Sequence, residues 1–188
     1  MLKFENMELS YDPYPIGLIK PVLDDSMYQE MLELWPDIGL CRHLGRKGQN
    51  KYYLNESKSK IQYNEFIRKH SVWREFHSYI KSESFIAATM QSLMDLNIDL
   101  GYFHKTPSVY RRLRTGLGDI LKRRRLPEFP TGLYARFEFS MLPANGGAIL
   151  PHTDDPKKLV TIVCYIQKDG EWNSAWGGGL EICWPKDP

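Results

Sequence analysis

The stretch Leu142–Ile182 reads LPANGGAILPHTDDPKKLVTIVCYIQKDGEWNSAWGGGLEI and decides the predicted fold. Short apolar and β-branched runs alternate in it with turn clusters rich in Gly, Asn, Asp and Lys. Closely spaced runs of this kind are typical of strands in a β-sandwich or barrel. With the residues just before it, the stretch gives four predicted strands: Leu133–Leu142, Ala148–Pro151, Leu159–Gln167 and Leu180–Trp184.

The tripeptide His152-Thr153-Asp154 is the part of this stretch that carries chemistry. Side chains at positions i and i+2 of a strand point to the same side, so an imidazole nitrogen and a carboxylate oxygen can converge there on one metal ion. A further histidine from another strand would leave open positions for a bidentate cosubstrate and dioxygen, as in non-haem iron(II) oxygenases. Taken alone, the tripeptide also fits a surface turn in which Asp154 caps a bend and His152 packs.

The residues before this stretch predict helices. A cap among residues 24–26 starts a helix that runs to about Leu34, and apolar residues three and four apart predict a largely helical layer over Ile61–Leu96. Two shorter strands are predicted at 15–22 and 51–54. The 188 residues are expected to form one α+β domain, mainly helical over 1–126 and with the first strands of a β core over 127–188.

Composition places the chain among ordinary globular proteins. Hydrophobic residues make up 42% and charged residues 26%, and the formal net charge is +2, which excludes a disordered chain and a bulk polyanion-binding protein. Three scattered cysteines without a CxxC pair argue against a disulfide framework and a thiolate zinc site, and favour a reducing, cytoplasmic setting. We find no signal peptide and no membrane span, so a membrane is not an expected partner. The low net charge likewise gives no reason to expect a nucleic acid as a partner.

The order of motifs resembles the prolyl-hydroxylase-like branch of the iron(II)- and 2-oxoglutarate-dependent oxygenases. In that branch a Gly-containing turn leads to His-x-Asp, a strand with a Thr-x-x-x-Tyr-like pattern follows, and a Gly-Gly-x-Leu strand comes next. The resemblance covers roughly the last third of the chain. The matching elements here are Gly146-Gly147, His152-Thr153-Asp154, Thr161 with Tyr165, and Gly178-Gly179-Leu180-Glu181-Ile182.

The resemblance implies a double-stranded β-helix core (jelly-roll or cupin-like) behind an N-terminal helical layer. It implies iron(II) and 2-oxoglutarate as cofactors, ascorbate as a further candidate, and hydroxylation of a substrate C–H bond with dioxygen. His152 and Asp154 match the first two iron ligands and are the predicted catalytic residues. Tyr165 falls where a tyrosine hydroxyl meets the cosubstrate carboxylate, Thr161 lines the same pocket, and Leu180 covers the cosubstrate. For Thr161 and Tyr165, a strand with good β-propensity is the alternative interpretation.

One part of the family pattern is missing from the chain. The family needs a second histidine on a later strand, followed by an Arg or Lys that pairs with the distal carboxylate of 2-oxoglutarate. None of the 34 residues after Asp154 (188 − 154) is His, and the other four histidines precede the motif. We expect the missing ligand, the basic residue and the closing strands beyond Pro188, so that the β core of this chain is C-terminally incomplete. The alternative is a degenerate, non-catalytic relative.

The substrate stays open at this level. Peptidyl proline is the best-known target of the branch, and free amino acids, other small molecules and other polymers are alternatives; no oligomeric state is predicted. The basic stretch Arg111–Arg125 predicts an amphipathic helix, either a solvated surface helix or a docking patch for an anionic partner. Two other functions compete: a β-sandwich or cupin-like binding module without the complete iron site, and a cupin-like metal protein without 2-oxoglutarate.

Overall fold

A computed structural model describes residues 1–12, 14–46, 49–98, 133–144, 146–155, 157–168, 170–177, 179–181 and 183. Several predicted features lie outside these residues. They are the basic stretch Arg111–Arg125, residues 99–132 at the junction of the two predicted parts, Gly178, Ile182 and Trp184.

Two antiparallel sheets and four helices make up the described part of the chain. Strands β1 (Met7–Ser10) and β2 (Ile16–Ile19) form a hairpin. Strands β3 (Arg42–Arg46), β4 (Gln49–Asn55) and β5 (Glu138–Met141) form the second sheet, in the order β3-β4-β5. The helices are α1 (Asp25–Glu33), α2 (Lys60–Lys69), α3 (Ser71–Ile80) and α4 (Glu83–Asp95). The mixed α and β composition confirms the coarser part of the predicted fold class.

Helix α1 begins within the predicted range, with Asp24 as its N-cap but without a side-chain cap hydrogen bond, and the later helices follow the predicted periodicity. The Ser82 hydroxyl accepts a hydrogen bond from the Phe85 N–H and so caps the N-terminus of α4. Helix α3 buries residues three, four and seven positions apart, which places one apolar face against the core. These buried residues are Val72, Trp73, Phe76 and Ile80.

An aromatic cluster joins the helical layer to β5. Phe139 is only 1% exposed, and its ring centroid lies 4.7 Å from that of Trp73, 5.3 Å from that of Phe66 and 5.4 Å from that of Trp35. Aromatic rings at such separations and steep interplanar angles add to the stabilisation that burial gives. The core therefore lies between the helices and the inner face of β4 and β5.

His77 in α3 is expected to make the fold sensitive to acid. Its Nε2 is buried without a hydrogen-bond partner in the part of the chain that the structure describes. Burial, assisted by the charge of Lys81 and opposed by that of Glu56, lowers the pKa of His77 below its ordinary value. The unfolded chain therefore binds this proton more readily than the folded chain, and the free energy of unfolding falls as the pH drops below about 6.5.

The measurement is urea denaturation of the wild type and of His77→Phe at a pH of about 7.5 and of about 5. The variant keeps a buried ring and cannot titrate, so it should lose less stability over this interval than the wild type. An equal loss in the two proteins would contradict this assignment.

The predicted strand Leu159–Gln167 is wrong as a strand in this structure. A strand is held by hydrogen bonds to a neighbouring strand, and none of the described strands pairs with this segment. Its end is tied to α1 instead, because the Tyr28 hydroxyl donates to the Gln167 carbonyl at 2.6 Å and accepts from the Gln167 N–H at 3.0 Å.

Other strand predictions are confirmed in part. Strands β2, β4 and β5 fall within or across predicted strands, whereas the predicted strand Ala148–Pro151 is reduced to a single bridge between Ala148 and Asn50. Strands β1 and β3 were not predicted, and four of the five described strands lie in the part expected to be mainly helical. A double-stranded β-helix is not confirmed, because the described strands form a two-stranded and a three-stranded sheet.

Candidate functional site

The segment that carries the His-x-Asp motif is placed by the sheet. Strand β5 runs antiparallel to β4, and after a turn the Asn50 N–H donates to the Ala148 carbonyl at 3.0 Å while the Ala148 N–H donates back at 3.3 Å. The turn needs Gly147, because a Cβ at this position would lie 2.5 Å from the carbonyl oxygen of Pro143. The bridge holds the following residues beside the β3–β4 hairpin, which brings His152 to the edge of the sheet.

The two predicted metal ligands converge. His152 Nε2 lies 3.8 Å from Asp154 Oδ1, and His152 Nδ1 lies 2.8 Å from the Leu150 carbonyl oxygen. A carbonyl can only accept, so in the neutral ring Nδ1 carries the proton and Nε2 keeps its lone pair. Metal-binding histidines are oriented by a hydrogen bond of this kind. Two ligands about 2.1 Å from one ion at a right angle are about 3 Å apart, so a closure of about 1 Å suffices.

Asp154 is held by two further side chains. Lys158 Nζ donates to Asp154 Oδ1 at 2.6 Å, and the Thr161 hydroxyl donates to Oδ2 at 2.6 Å. These hydrogen bonds, that from Lys158 first, hold the pKa of Asp154 below its ordinary value, so the carboxylate stays ionised. The ammonium of Lys158 lies on the same carboxylate oxygen that is 3.8 Å from His152 Nε2, so a metal ion bound there would have to displace it.

Sequence reasoning placed some of these contacts differently. Thr161 was predicted to line the cosubstrate pocket, and its hydroxyl donates a hydrogen bond to Asp154. Lys158 was not predicted as a partner of Asp154, although an acid and a base four residues apart could have indicated the pair. Tyr165 and Leu180 are 55% and 67% exposed, and neither lines the cleft beside His152. The structure thus brings together three of the five predicted site residues.

A cleft of about 230 Å³ opens next to His152. Its other walls come from the β3–β4 hairpin, which is far from the motif in the sequence, and from Ile149, three residues before His152. They are Leu44, Gln49, Lys51 and Ile149. Gln49 and Lys51 are two positions apart on β4 and therefore share a face, and Lys51 pairs with Leu44 across the hairpin. The sequence predicts a strand at 51–54, which covers part of β4. It does not show that β4 lies next to His152.

The donor set suits part of an iron(II) site. One imidazole and one carboxylate are the ligand types of the facial triad in non-haem iron enzymes. Among the described residues, no group of three or more His, Cys, Asp and Glu side chains is arranged to hold a metal ion. His152 and Asp154 would therefore be two of the protein donors, and no third side chain completes a metal site in this part of the chain.

Comparisons with models of known protein families, with curated proteins and with solved structures find no significant match for this chain. Within the described ranges, no helix is both long enough and apolar enough to cross a membrane. Support for a function therefore comes from the sequence motif and from the geometry of its side chains.

Proposed function

We propose that this chain carries the iron-binding part of an iron(II)- and 2-oxoglutarate-dependent oxygenase that hydroxylates a C–H bond of a peptidyl substrate, such as a prolyl residue, or of a small molecule. The observation that carries the proposal is the approach of His152 Nε2 to within 3.8 Å of Asp154 Oδ1. The Leu150 carbonyl presets the histidine tautomer that a metal requires. The proposed fold is a double-stranded β-helix. The proposal also requires a third iron ligand and a basic residue that pairs with 2-oxoglutarate, both outside the described residues.

Each side chain has a stated role in this proposal. When bound, iron(II) with 2-oxoglutarate and dioxygen supplies the oxidising power for C–H hydroxylation. His152 offers Nε2 as a neutral donor, and Asp154 offers an ionised carboxylate. Thr161 is a positioning residue, because its hydrogen bond fixes the plane of that carboxylate. Tyr165 and Leu180 stay proposed contacts of the cosubstrate, for which both exposed side chains must turn toward His152.

A non-catalytic binding module is the second candidate, and one contact favours it. Lys158 Nζ lies 2.6 Å from Asp154 Oδ1 and satisfies this carboxylate without any metal. In such a module the salt bridge between Lys158 and Asp154 would stabilise the fold, and no metal ion would take the place of Lys158.

The test is iron-dependent release of succinate from 2-oxoglutarate by the full-length protein. We expect release in the wild type and a loss of at least about 100-fold in His152→Ala, because even the partners that merely orient metal ligands are worth about 10- to 100-fold. His43→Ala is the matched control, since His43 lies on the opposite face of the same hairpin. A wild type that releases no succinate with iron present would overturn the oxygenase and leave the binding module.

A further inference from the structure

The outer face of β4 and β5 carries a polar network centred on Glu138, next to the cleft. Glu138 accepts hydrogen bonds from Lys51 Nζ at 2.6 Å, from Asn55 Nδ2 at 2.7 Å and from the Ser140 hydroxyl at 2.9 Å. Burial alone would raise the pKa of Glu138, but the three hydrogen bonds outweigh it and the pKa lies below its ordinary value. The network therefore holds a carboxylate that is ionised and fully engaged.

This network fixes the ammonium of Lys51. The side chain of Lys51 is only 19% exposed, and its position is set by Glu138, which is itself tied to Asn55 and Ser140. An ammonium carries three N–H donors, so the bond to Glu138 leaves two for other partners. Lys51 lines the cleft and Glu138 does not, which favours the ammonium over the Glu138 carboxylate as the charged group that a ligand there would contact. Much of the rotamer freedom that a lysine loses on binding an anion is already lost here.

The rest of the cleft is suited to a small molecule. Leu44 and Ile149 provide apolar walls, and Gln49 adds an amide beside Lys51. A volume of about 230 Å³ is below the range of roughly 300–1,000 Å³ that drug-sized ligands occupy. His152 lines the same cleft, so a ligand bound there would lie near the proposed metal ligand.

We infer that this cleft is the substrate site and takes a small aliphatic carboxylate. The ligand carboxylate meets Lys51 and Gln49, and its aliphatic part packs between Leu44 and Ile149 with C–H bonds toward His152. Calling the ligand a substrate rests on the proposed function, whereas the cleft itself is formed by protein side chains alone. This inference narrows the substrate from peptides and small molecules in general to a free aliphatic acid.

The experiment is an NMR titration of the metal-free protein with 4-methylpentanoate and with its neutral isostere 4-methylpentanamide. A hydrogen bond to a charged group is worth more than one between neutral groups, so we expect the carboxylate to bind about tenfold tighter or more. The His152 ring signals should shift on binding. Equal affinity of the two probes, or no binding of either, would overturn the inference.

Two variants test whether Lys51 causes the preference for the carboxylate over the amide. The double variant Lys51→Met with Glu138→Gln removes both charges together and should abolish the preference for the carboxylate, whereas Glu138→Gln alone should keep it. If the double variant fails to fold, Gln49→Leu, outside the network, is expected to weaken carboxylate binding. A preference that survives in the double variant, or carboxylate binding unchanged in Gln49→Leu, contradicts the role of these residues.

The outcomes also separate this inference from the proposed function. Binding of 4-methylpentanoate by a protein that releases no succinate would leave the carboxylate site standing and overturn the oxygenase. Succinate release without carboxylate binding in the cleft would support the oxygenase and overturn the carboxylate site.

Discussion

Mn²⁺, a stable analogue of iron(II), is expected to bind the wild-type chain and to lose at least about 100-fold in affinity when His152 is replaced with alanine. The imidazole supplies one of the two donors that the structure brings together, with Nε2 facing Asp154 Oδ1 at 3.8 Å. Asp154→Asn should have a comparable effect, since it removes the negative charge and leaves a neutral amide. Free Mn²⁺ measured by electron paramagnetic resonance gives the affinity directly.

Lys158→Met provides a control of opposite sign. Its ammonium lies 2.6 Å from the same Asp154 oxygen and competes there with any other cation. Ion pairs as exposed as this one are worth about 0.2–1 kcal/mol, so removing the competitor should raise the affinity for Mn²⁺ by up to about fivefold. An affinity for Mn²⁺ that does not change in His152→Ala would show that the ion binds elsewhere and would remove the main support for the proposed site.

Phe139→Ala should lower the free energy of unfolding by about 3–5 kcal/mol, the usual cost of deleting a fully buried aromatic ring. Phe139 is 1% exposed and contacts rings from three directions, among them Trp73 at 4.7 Å, Phe137 at 4.9 Å and Trp35 at 5.4 Å between centroids. Helices and β5 meet at this residue, so the cavity would open where the two layers join. Urea unfolding followed by intrinsic tryptophan fluorescence measures the change.

Two variants calibrate this effect. Phe139→Leu keeps part of the volume and should cost clearly less than Phe139→Ala. Ile61→Ala truncates a residue of α2 that is 70% exposed and should stay within about 0.5 kcal/mol. Equal costs for Phe139→Ala and Ile61→Ala would mean that the aromatic cluster is not the core.

Local signals explain which elements could be predicted. Helices α2, α3 and α4 follow from apolar residues three and four apart, a signal that acts within a few residues. Strand β3, with the sequence RHLGR, has no apolar alternation and is a strand because β4 lies beside it. The segment 159–167 shows the converse, since its β-branched residues favour a strand but no described strand pairs with it.

The same distinction applies to the candidate site. The convergence of His152 and Asp154 could be predicted, because residues two positions apart on an extended chain share a side. The cleft could not, because Lys51 reaches it through the antiparallel pairing of β4 with the segment before the motif. Tyr165 and Leu180 were assigned from the family pattern, and the described residues do not bring either one to the cleft.

The double hydrogen bond between Tyr28 and Gln167 has a mechanical consequence for this site. It anchors the downstream end of the segment, as the bridge between Asn50 and Ala148 anchors the upstream end. His152, Asp154 and Thr161 lie on the span between these two fixed points. An ion bound there could therefore draw His152 and Asp154 closer together while both ends of the segment keep their positions. The aromatic core would not have to rearrange.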